Sequence, residues 1–63
     1  MSHFTVQRAN EESFDAGYGP VLALDDHEVP NEVRAAVLRD MYEHVDLIAG
    51  VIKVEGQYWI WRP

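Results

Sequence analysis

Histidines stand at positions 3, 27 and 44, and imidazole is both the commonest metal ligand and the usual general base near neutral pH. Asp25-Asp26-His27-Glu28 concentrates oxygen and nitrogen donors. Consecutive turn residues seldom converge on one ion, however, and no second histidine lies at helical spacing from His27, so the run is expected to be a solvated acidic turn. Asp40 and His44 are one helical turn apart and can form a local charged pair that requires no function. A serine nucleophile needs a base oriented by a third group. Ser2 lies at the chain start and Ser13 in an acidic stretch, and neither spacing resembles a triad. Glu11, Glu12 and Asp15 could supply paired carboxylates, but such a pair acts in a cleft that so small a core can hardly enclose. Gly17-Tyr18-Gly19-Pro20 lacks the glycine-rich phosphate fingerprint and has no lysine to meet a phosphate. The expectation is therefore no catalysis, no cofactor and no metal, with a metal- or ligand-binding role for His27 or His44 as the remotest alternative.

The other chemistry available is contact. Asp and Glu number 11 against 5 Lys and Arg, a net charge of −6, which repels phosphate and argues against direct nucleic-acid binding. The same charge keeps a small protein in solution and can steer it toward a basic surface. Glu11, Glu12, Asp15, Asp25, Asp26, Glu28 and Glu32 could line a surface that occupies a nucleic-acid groove on another protein, a mimicry known by analogy from small inhibitors of phages and mobile elements. Simple solubility is the plainer explanation of the same residues. Phe14 and Tyr18 lie in a glycine-containing stretch where a surface loop cannot bury both deeply, which suits them to an interface. Trp59 and Trp61, two apart, should share one strand face and are better read as core.

The elements that must position these residues can be traced from pattern. Phe4 to Arg8 alternates apolar and polar side chains, a strand over 4–8. Residues 9–20 are dense in turn formers and read as a loop. Val21-Leu22-Ala23-Leu24, bounded by Pro20 and Asp25-Asp26, reads as a short strand over 21–24. A long amphipathic helix is expected over 30–49, with Pro30 in its first turn, Glu32 at the positive end of its dipole and Gly50 as its left-handed stop. Two adjacent apolar ridges run along it: Val33, Val37, Met41, His44 and Ile48, then Ala35, Leu38, Tyr42, Val45 and Ala49. Together they cover roughly twice the 100° or so of apolar arc that a helix on one small sheet needs, so Leu38 and Tyr42 are left for another surface. After Gly50, segments 51–55 and 58–62 flank Gly56-Gln57, read as a type II′ hairpin that sets Val54 opposite Trp59 and Ile52 opposite Trp61.

The fold expected is a single α+β domain spanning 1–63, β-β-α-β-β, an antiparallel sheet with one helix packed on it. With 63 residues and no cysteine, stability must come from dense packing or association. The lack of cysteine and the polar start Met1-Ser2-His3 suit a cytoplasmic protein, and apolar runs such as Val21–Leu24 fall far short of the roughly 20 residues that span a bilayer. The functional expectation is a small regulatory or inhibitory protein, plausibly of phage or mobile-element type, that docks on a partner protein of unknown identity through Glu11, Glu12, Phe14, Asp15, Tyr18, Leu38 and Tyr42. A homodimeric structural module or accessory subunit, using the spare helix ridge, is the alternative.

Overall fold

The computed structural model describes residues 4–46 and 48–63. Strands β1 (Thr5–Ala9) and β2 (Gly17–Ala23), helix α1 (Asn31–Glu43), and strands β3 (Gly50–Val54) and β4 (Gln57–Arg62) follow in that order. They form one antiparallel sheet of order β2-β1-β4-β3 with α1 on one face, the β-β-α-β-β arrangement read from sequence. The core lies between them. Val33 and Val37 of α1 and Val29 just before it pack on Val6, Trp59 and Trp61, all buried, with Phe4, Leu22, Leu24, Met41, Ile52 and Val54 around them. The period-two pattern of the strands and the four-residue spacing of Val29, Val33 and Val37 are what make these two surfaces apolar.

The helix is shorter than expected: it closes at Glu43, not at residue 49, and the amide of His44 donates the last helical bond to the Asp40 carbonyl at 3.0 Å. Two constraints set that end. A twenty-residue helix would be about 30 Å long, longer than the molecule's greatest extent of 26 Å, whereas thirteen residues match the strands beneath. Trp61 also donates its indole N–H to Asp40 Oδ2 at 2.7 Å, and a Cβ on Gly50 would lie 2.7 Å from that same carboxylate. A continuing helix would carry residue 50 about 15 Å past residue 40. Gly50 is therefore not a left-handed helix stop. It is the first residue of β3, opposite Trp61, and its missing side chain makes room for the indole–carboxylate bond.

The hairpin differs in its turn. Glu55 (φ 50°) and Gly56 (φ 83°) are the central residues, both left-handed, so the turn is type I′ over Glu55-Gly56 in place of type II′ over Gly56-Gln57. Gln57 belongs to β4, held by its Nε2 donating to the Ala9 carbonyl and by the Tyr18 hydroxyl donating to its Oε1. The register moves by two residues: Ile52 faces Trp59, and Trp61 faces Gly50. A shift of two preserves parity, so Ile52, Val54, Trp59 and Trp61 still share the helix-facing side.

The expected loop over 9–20 is also corrected. Residues 10–13 bend, Phe14–Ala16 make a single 3-10 turn, and Gly17–Pro20 already belong to β2. Pairing shifts between Val6↔Leu22 and Arg8↔Tyr18, a bulge spanned by Gln7 Nε2 donating to the Gly19 carbonyl at 3.0 Å. Such a bulge lets glycines and a proline sit in an edge strand.

Candidate functional site

Leu38 and Tyr42, one turn apart on α1, point away from the sheet and are 52% and 85% exposed. In the link to β3, Val45 and Ile48 are 85% and 80% exposed. Of the first apolar ridge only Val33, Val37 and Met41 meet the core. His44 and Ile48 were expected to continue it but are exposed, because the helix stops before them. Leu38, Tyr42, Val45 and Ile48 thus place four large side chains in water within eleven residues of chain, against eight buried hydrophobic residues among those described.

Phe14 and the acidic residues of the β1–β2 connection, and Tyr18 of β2, lie elsewhere. Phe14 is 47% exposed, with its ring under the Arg62 guanidinium at 5.6 Å and its carbonyl accepting from Arg62 at 3.3 Å. Trp61 points to the helix, so Arg62 points to the opposite face, and Phe14 lies on that face with it. Ile60 is buried there, unlike its neighbour Tyr58, flanked by Gln7 and Val51 in register and approached by Gly17. Glu11, Glu12 and Asp15 are exposed around the bend, the last donating its amide to the Ser13 hydroxyl at 3.2 Å. Tyr18 is 40% exposed and tied through its hydroxyl to Gln57 at 3.1 Å. Phe14 thus lies on the sheet face opposite α1, whereas Tyr18, paired through Arg8 with Trp59, lies on the helix-facing side at the far edge, so the residues singled out from sequence do not form one surface.

The acidic turn is more convergent than its spacing suggests. One ligand atom from each of Asp26, His27 and Glu28 lies within 4.8 Å of the others. That approach is explained locally: Asp26 Oδ1 accepts the Glu28 amide at 2.8 Å, an Asx turn, with His27 Nδ1 at 3.5 Å. Two of the three side chains are exposed. The Asp40–His44 pair forms only loosely, at 4.0 Å, because Asp40 is turned toward Trp61.

Two features gave no signal in the sequence. Arg34 interrupts the apolar arc of α1, yet its guanidinium donates to the carbonyls of Leu24, Asp26 and Val29 and to Asn31 Oδ1, fastening the acidic turn to the first turns of the helix. Arg8 lies over Trp59 at 4.6 Å, in a groove of about 260 Å³ lined also by Pro30, Glu32, Val33, Val54, Glu55 and Gln57. Of the residues chosen from sequence, Glu32 of the candidate acidic surface lines it, and none of Glu11, Glu12, Phe14, Asp15, Tyr18, Leu38 and Tyr42 does. Arg8, Lys53 and Arg62 all stack on aromatic rings. Among the described residues no Lys or Arg lies within 4.0 Å of a carboxylate, the acid contacts in that range being made by His27 and His44. Nor is any helix among them long and apolar enough to cross a membrane.

The chain matches no known protein-family model, and no curated protein or solved structure is detectably similar to it.

Proposed function

We infer that this chain is a non-catalytic binding domain that docks on a partner protein through Leu38, Tyr42, Val45 and Ile48. The observation that carries the reading is their exposure, from 52% to 85%, at one end of a helix whose opposite side is fully engaged with the sheet. Large apolar side chains grouped in water are the usual mark of an interaction surface. Tyr42, an exposed aromatic that a partner would bury, would be its anchor. A regulatory or inhibitory role suits a domain whose distinguishing feature is an exposed apolar surface.

Photo-crosslinking in the source cell tests this, with p-benzoylphenylalanine replacing Tyr42 and, as control, the exposed Asp25. One protein joined at position 42 and not at position 25 supports the reading. An adduct of the chain with itself alone would transfer the surface to the homodimer alternative, and identical patterns at both positions would refute a specific contact.

A second reading, charge mimicry of nucleic acid, is favoured by the carboxylates that no Lys or Arg neutralises among the described residues. Partner affinity falling steeply between low and high salt would support it, because exposed charges are screened beyond about 10 Å at 0.1 M salt.

A further inference from the structure

We propose that the free edge of β3 accepts an extended, basic segment of a partner protein as a fifth strand, independently of the apolar strip. The two edges of the sheet are unlike. β2 is bulged and carries Pro20, devices that keep another strand from pairing, whereas β3 (Gly-Val-Ile-Lys-Val) has neither a proline nor a bulge. In a two-residue hairpin the pair beside the turn, here Val54 and Gln57, is hydrogen-bonded, and the bonding alternates along the strand. Gly50, Ile52 and Val54 therefore bond to β4, and the N–H and C=O groups of Val51 and Lys53 point outward. No further backbone bond among the described residues reaches them.

What lies beside that edge names the occupant. Of the four strands, β3 is the one over which α1 lies closest. Asp40 approaches Gly50, and Glu32 shares a groove with Val54 and Glu55, so the helix flank that overhangs β3 is the one carrying Glu32, Ala36, Asp40 and Glu43. Arg39 borders this flank, Lys53 of β3 itself turns to the opposite face over the Tyr58 ring, and Arg8 is drawn back onto Trp59. Carboxylates thus outnumber cations along the open edge. An added strand would lay alternate side chains along them, where Lys or Arg would find charge of opposite sign and Ala36 leaves room for their stems. A second copy would instead bring the apolar Ile52 and Val54 to this flank and another net charge of −6.

The probe is a capped heptapeptide alternating Lys and Thr, with its Glu/Thr counterpart as control, followed by amide hydrogen exchange. The basic peptide is expected to slow exchange at Val51 and Lys53 selectively, and the acidic one to bind at least about tenfold more weakly. Val51→Pro removes an outward N–H and no bond to β4, and should abolish binding with the Trp fluorescence of the fold unchanged. Should that variant fail to fold, exchange in the unmodified protein decides. No protection at Val51 and Lys53 at roughly millimolar peptide, or equal effects of the two peptides, would overturn the proposal. Protection of those amides that grows with protein concentration alone would overturn it in favour of a second copy. None of these results bears on crosslinking at position 42, so the two surfaces succeed or fail separately.

Discussion

Gly50→Ala is the most informative single perturbation, because it adds one methyl at the place where helix and sheet are pinned together. The new Cβ would lie 2.5 Å from Trp61 Nε1, 2.7 Å from Asp40 Oδ2 and 2.8 Å from Trp61 Cε2. Trp61 is completely buried and cannot swing away, so the indole–carboxylate bond must open or β3 must shift. Overpacking costs about 1–3 kcal/mol, and loss of a hydrogen bond to a charged group about 1.5–3 kcal/mol. Restricting the unfolded chain returns about 0.4–1 kcal/mol. The net expectation is a destabilisation of about 2–4 kcal/mol. A chain of 63 residues has a total stability of only about 3–9 kcal/mol. Urea unfolding followed by Trp fluorescence should therefore show a midpoint sharply lowered, and a melting temperature down by about 10–25 °C. The decisive comparison is the cycle with Asp40→Ala, which clears one of the two crowding groups. The double variant should be more stable than the sum of the singles implies, by about 1 kcal/mol or more. Strict additivity, or a Gly50→Ala protein as stable as the parent, would refute the packing argument.

Arg34→Lys should destabilise by about 1–3 kcal/mol, since an ammonium cannot reproduce a fork reaching the carbonyls of Leu24, Asp26 and Val29; thermal melts measure it. Glu55→Asn should stabilise by about 0.5–1 kcal/mol in the same melts, because Glu55 sits at φ 50° and Asn-Gly is the preferred type I′ pair. Gly56→Ala should cost about 1 kcal/mol at φ 83° even though nothing lies within 4 Å of the added methyl. Tyr42→Asp should change stability by less than about 0.5 kcal/mol, with circular dichroism unaltered, since the residue is 85% exposed.

Periodicity along the chain determined the class of fold, the face of each strand and the side of the helix that meets the core. Those follow from local geometry: apolar residues two apart share a strand face and residues four apart share a helix face, whatever lies beyond. The hairpin therefore kept its apolar face even though its register moved by two. Likewise Val33 and Val37 were legible as core, and Leu38 and Tyr42 as surplus. Where elements end was decided in three dimensions. The helix had to stop at Glu43 for the chain to return Gly50 to Asp40, and the hairpin turned at Glu55-Gly56 while Gln57 was held by Ala9 and Tyr18, which are remote in sequence. The same holds for the surfaces. The sequence put Phe14, Tyr18, Leu38 and Tyr42 in one partner-binding set, as a loop and a helix ridge, because all are large side chains that the core does not need. Only the sheet order separates Phe14 from the helix pair and leaves β3 with an open edge beneath an acidic helix flank, because composition fixes what a residue can do and topology fixes what it stands beside.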